Sequence, residues 1–116
     1  MLKGSLMLIR LLWLVSIATG VVLYFRPGTL PVNIHMYIGF AIALLMIVVG
    51  VIGLRVAAGV AAATILVAIL LPVIGILQLV HVGRPDLPYI QITHVVLGVA
   101  AIALAEITGK RVRLAA

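Results

Sequence analysis

Four almost uninterrupted apolar runs, parted by short breaks that carry proline, glycine and arginine, constrain this chain more than any other feature. A helix crossing a hydrocarbon core of about 30 Å needs about 20 apolar residues. The runs from about Leu6 to Phe25, Val32 to Leu54, Ala57 to His81 and Leu87 to Thr108 each meet that length. The balance of residues agrees, since 66% of the 116 are hydrophobic and 9% are charged, against about a quarter charged in soluble domains. A soluble fold of this size cannot hide so much apolar surface, because small domains leave a large fraction of their chain exposed. The predicted class is an all-α membrane protein, a four-transmembrane-helix up-down bundle that takes residues 1–116 as a single domain. Its short connections make successive helices antiparallel.

The net charge of +6 does not read as nucleic-acid binding, because the bases sit at the ends of apolar runs and are not interleaved with stacking aromatics. They read as topology signals. With four spans both termini share a side, and that side collects Lys3, Arg10, Arg55, Lys110, Arg111 and Arg113 against Arg26 and Arg84 opposite. The positive-inside rule then places a multi-pass protein in the cell membrane with both termini cytoplasmic. Arg10 lies close enough to its helix end to snorkel, and Glu106 precedes Lys110 in the favourable acid-before-base order for a solvated helix pair. The first run has the basic start of a signal peptide but continues to Phe25 without a small-residue cleavage pattern, so it is read as a retained first helix. Cysteine is absent, which removes disulfides, thiolate metal sites and cysteine nucleophiles.

Arg26-Pro27-Gly28-Thr29-Leu30-Pro31 and Gly83-Arg84-Pro85-Asp86-Leu87-Pro88 both break helix geometry, since proline lacks an amide donor and restricts the residue before it. Pro31 and Pro88 are expected in the first turn of the helices that follow. Pro72 falls inside the third run, where neighbouring helices can satisfy the freed carbonyl, so a kink is expected there and not an end.

The two breaks also reveal an internal repeat. Arg26-Pro27 leads through Leu30-Pro31 to His35, and Arg84-Pro85 leads through Leu87-Pro88 to His94. HMYIGFAIALL from His35 then aligns without gaps to HVVLGVAAIAL from His94, sharing the histidine and a glycine four residues on. A tandem-duplicated helical hairpin is predicted, with repeat one at about 6–55 and repeat two at about 57–111. Such a duplication gives a pseudo-twofold axis along the membrane normal and sets His35 and His94 facing one another at matching depth. His35 precedes Arg55 by twenty residues and His94 precedes Arg111 by seventeen, which at a rise of about 1.5 Å per residue puts both in the outer half of the bilayer.

Ionisable residues inside a span point to function, because unpaired polar groups in hydrocarbon are costly. Two symmetric imidazoles match an axial pair for haem iron. Gly39 and Gly98, one turn along, leave room for a macrocycle edge. Arg26 and Arg84 suit propionates, for which the guanidinium fork is well shaped. Gln91 can orient the His94 imidazole, as bonds to a ligand's far nitrogen do. His81 has no partner in the repeat, its counterpart by spacing from Arg-Pro being Leu23; it reads first as an interfacial histidine, with a propionate contact, a second metal and an alternative-ligand role open behind that. Three histidines could also hold copper or zinc, a reading ranked below haem. Trp13, Tyr24, Tyr37 and Tyr89 read as interfacial anchors or as packing against a haem edge, mostly the former.

Together His35, the run Leu87-Pro88-Tyr89-Ile90-Gln91-Ile92-Thr93-His94 and the preceding Leu77-Gln78 resemble one half of the haem A synthase family. In that family each of two pseudo-repeated four-helix bundles holds haem between histidines of its second and fourth helices near the outer surface. The resemblance implies the same for His35 and His94. The family's catalytic half carries a glutamate three residues before the helix-two histidine and an arginine after it, where this chain has Val32 and Met36. Outer-loop cysteines found in many members are missing too. The resemblance thus implies haem binding more than haem modification.

The expected function is a membrane cytochrome that binds one b-type haem through His35 and His94 and moves electrons near the outer face of a respiratory membrane. Two imidazoles fill both axial positions, which favours electron transfer over ligand activation. The expected partners are membrane lipid and quinone or a respiratory-complex subunit, in a homo- or hetero-oligomer. The alternatives are a compact haem A synthase-like enzyme, with haem O or haem A in the site, and a non-catalytic accessory subunit.

Overall fold

The computed structural model describes residues 1–80 and 88–116. Within them the chain forms four helices, α1 (Leu2–Phe25), α2 (Val32–Gly53), α3 (Ala58–Val80) and α4 (Pro88–Ala115). Each is long and apolar enough to cross a membrane, so the protein is a multi-pass helical membrane protein. The helix bounds follow the apolar runs, except that α4 continues past Thr108 to Ala115 and carries Lys110, Arg111 and Arg113 on its last turns. α3 runs through Pro72 without a break.

The described connections are closed by local bonds. The Arg26 amide donates to the Val22 carbonyl at 2.8 Å, the Thr29 hydroxyl donates to the Arg26 carbonyl at 2.6 Å, and Gly28 supplies a positive φ of 87° that side chains rarely adopt. Pro31 occupies the N-cap of α2 in extended geometry, one place before the expected first turn, while Pro88 is the first residue of α4. Between α2 and α3 the amides of Val56 and Ala57 both donate to the Gly53 carbonyl, at 3.0 and 2.9 Å.

Sequential helices pack as neighbours, and α2 also touches α4 across the bundle, whereas no described Cα of α1 lies within 8 Å of one in α3. The cross-section is therefore a flattened rhombus, consistent with overall Cα extents of 48 × 23 × 15 Å. The tight packing is concentrated at the end that holds the termini and the α2–α3 turn. Leu6, Ile9, Met46, Val49, Ala61, Ala68, Ala101 and Ala105 are buried there. Small residues allow the helices to approach: a Cβ at Gly53 would overlap the Thr108 methyl, and one at Gly50 would lie 3.2 Å from the Ala61 carbonyl oxygen. Buried Thr64 and Thr108 bond each other at 2.8 Å, and Thr64 lies 2.8 Å from the Val60 carbonyl. Such bonds satisfy hydroxyls that lipid cannot.

One pair expected at this end is corrected. Glu106 binds Arg10 of α1, not Lys110 of its own helix, through Arg10 Nε to Oε1 and Nη2 to Oε2, the latter at 2.8 Å. A bidentate fork fits a carboxylate better than an ammonium one turn away.

Candidate functional site

At the opposite end, that of the α1–α2 connection, the helices part and leave a cavity of about 1230 Å³. Its walls are mostly apolar and come from all four helices. His35 of α2 and His94 of α4 both line it, with ring centroids 6.1 Å apart and planes inclined at 63°. Because α2 and α4 are in contact while α1 and α3 stand apart, the two imidazoles meet at the centre of the bundle.

Each imidazole is seated against the flanking helix of its own hairpin at a glycine. A Cβ at Gly20 of α1 would lie 3.2 Å from Cε1 of His35, and one at Gly75 of α3 would lie 3.2 Å from Cε1 of His94. The backbone carbonyls of Ser16 and Leu71 approach the same two rings. Ser16 and Leu71, like Gly20 and Gly75, are fifty-five positions apart, while His35 and His94 are fifty-nine apart. At the tight end the contact of Gly50 with Ala61 recurs as that of Gly109 with Leu6, in the same two registers. The pseudo-twofold relation therefore extends through α1 and α3.

The site is nonetheless asymmetric in its polar contacts. Nδ1 of His35 lies 3.0 Å from the Thr19 hydroxyl. Nδ1 of His94 is buried with no hydrogen-bond partner among the described residues. The position equivalent to Thr19 in α3 is Ile74.

Of the residues singled out in the sequence, Gly39 and Gly98 line the cavity with open space where a Cβ would stand. Gln91 and Gln78 also line it, but Gln91 does not reach Nδ1 of His94. Arg26 is exposed on the connection whose Pro27 and Gly28 border the cavity. His81 and Arg84 lie outside the described residues, and with them the three-histidine metal site; among the described residues no group of three or more metal-ligating side chains occurs. Trp13 is not an interfacial anchor: it packs on the buried core, lines the cavity and donates to the Gly98 carbonyl. Tyr24, Tyr37 and Tyr89 are exposed, as anchors would be.

Ser16, Thr19, Gly20, Leu71 and Gly75 carry no mark in the sequence that sets them apart from the rest of their helices. The Arg-Pro pairs stand fifty-eight positions apart and Gly20 and Gly75 fifty-five, so the Arg-Pro register sets Gly20 against Gln78 and hides the glycines. Counting back from the tight-end contacts recovers the register. Comparison with known protein families, characterised proteins and solved structures gives no match.

Proposed function

We propose that this protein is a membrane cytochrome in which His35 and His94 ligate one b-type haem and electrons pass near one face of a respiratory membrane. One observation carries the reading: two imidazoles from facing helices stand 6.1 Å apart, centroid to centroid, in an apolar cavity. Two imidazoles on opposite sides of one metal ion, with metal–nitrogen bonds of about 2.0–2.1 Å, have centroids roughly 6 Å apart. The cavity exceeds the roughly 300–1,000 Å³ of ordinary small-molecule pockets, and its glycine-lined walls at Gly39 and Gly98 leave room for a flat macrocycle.

Haem would supply one-electron redox chemistry. The chain's own part is to present two neutral imidazoles, exclude water with apolar walls, and offer Arg26 to a propionate at the cavity's end, a role that the sequence repeat extends to Arg84. The surplus of basic residues at the opposite end supports cytoplasmic termini and an outward-facing site. Val32 and Met36 stand where the resembled enzymes carry glutamate and arginine, which favours electron transfer over haem modification. Quinone or another redox subunit is the proposed exchange partner.

An optical spectrum of the purified chain with pyridine haemochrome analysis tests the reading. A low-spin spectrum with a sharp reduced α-band is expected, lost in His35→Ala and in His94→Ala. A chain without Soret absorbance after haem supplementation would refute it.

A further inference from the structure

The contacts at the two imidazoles go further than their pairing. The Thr19 hydroxyl lies 3.0 Å from the Ser16 carbonyl and 3.0 Å from Nδ1 of His35. A hydroxyl has one proton and two acceptor lone pairs. A carbonyl can only accept, so the one arrangement that makes both bonds sends the hydroxyl proton to Ser16 and has Nδ1 of His35 donate to Thr19, whereas a hydroxyl donating to Nδ1 gives up the Ser16 bond. In the arrangement that keeps both bonds, Nδ1 carries the proton and Nε2 keeps its lone pair. In α3 the equivalent position is Ile74, which has no hydroxyl, and Nδ1 of His94 is buried without a hydrogen-bond partner among the described residues.

We propose that Thr19 is a positioning residue that locks His35 in the Nδ1–H tautomer, making His35 the anchored and His94 the exchangeable member of the ligand pair. The inference rests on the bis-histidine reading for its consequence, but the tautomer itself does not. A histidine whose far nitrogen is hydrogen-bonded is held in orientation and made a better donor, and losing such a bond weakens metal binding by about 10- to 100-fold. The pseudo-symmetric bundle thus offers two ligands of matched position and unmatched restraint.

The test uses the full chain in bilayers, with nitrogen-15-labelled histidine and with haem. Nitrogen resonances of the haem-free protein are expected to show His35 with its proton on Nδ1, a preference lost in Thr19→Val and kept in Thr19→Ser. In the haem-loaded protein, Thr19→Val is expected to release haem to a scavenging apoprotein about 10- to 100-fold faster than wild type, with Thr19→Ser near wild type. His94→Ala is expected to retain haem as a high-spin species while His35→Ala loses it. A proton on Nε2 of His35 overturns the proposal, as does a Thr19→Val release rate equal to that of wild type or equal haem retention by the two alanine variants. Failure of the wild-type chain to take up haem sinks the cytochrome reading instead, and the nitrogen resonances still decide the role of Thr19.

Discussion

The indole nitrogen of Trp13 donates to the carbonyl oxygen of Gly98 at 2.9 Å, tying α1 to α4 one turn from His94. α1 and α4 share fewer close approaches than the hairpin pairs do, so a single directional bond matters for holding the cavity wall in place. Trp13→Phe keeps most of the apolar volume and removes the bond. The expected cost is about 1 kcal/mol, because the Gly98 carbonyl keeps its place in the helix ladder. Reversible unfolding in mixed micelles measures it, and an unchanged midpoint would show the bond to be idle.

Glycine substitutions should separate the two ends of the bundle. Gly53→Ala drives a methyl into Thr108 and Ala61, and overpacking of this kind costs about 1–3 kcal/mol. Gly39→Ala meets open space and should leave stability near wild type. If both variants unfold alike, the tight end is not where the helices are held.

Gly20→Ala and Gly75→Ala probe the seats of the imidazoles. Each added Cβ would sit 3.2 Å from a histidine Cε1, close enough to displace the ring by a few tenths of an ångström without unfolding the helix pair. Both variants should fold and show a shifted α-band after haem loading. Spectra identical to wild type would mean that the rings are not seated on these glycines.

Arg10 and Glu106 form the one ion pair found within the spans among the described residues. Removing one partner leaves the other charge alone in the apolar region, so Arg10→Met and Glu106→Gln should each destabilise the bundle more than the double variant does. A double-mutant cycle measured by unfolding decides this; additive effects would mean that the two side chains act independently.

The class of the fold was legible because hydropathy is a local property. Each span declares itself by about 20 apolar residues, and each end by arginine, proline or glycine, whatever the rest of the chain does. His35, His94, Gly39 and Gly98 were legible for another reason: polar or small residues repeated in register stand out against an apolar background.

Only the tertiary structure decided which faces meet. In lipid a helix can be apolar all round, so no stripe marks its inward side as it would in water, and the pairing of Arg10 with Glu106 across most of the chain's length has no local sign. The contacts of Thr19 and Gly20 with His35, and of Gly75 with His94, depend on the rotation of one helix against its neighbour. That rotation is set by close packing among Gly50, Gly53, Ala61, Thr108 and Gly109 at the far end of the bundle. The sequence by itself determined how many helices there are and what they carry, and packing determined that, among the described residues, Nδ1 of His35 has a side-chain partner and Nδ1 of His94 has none.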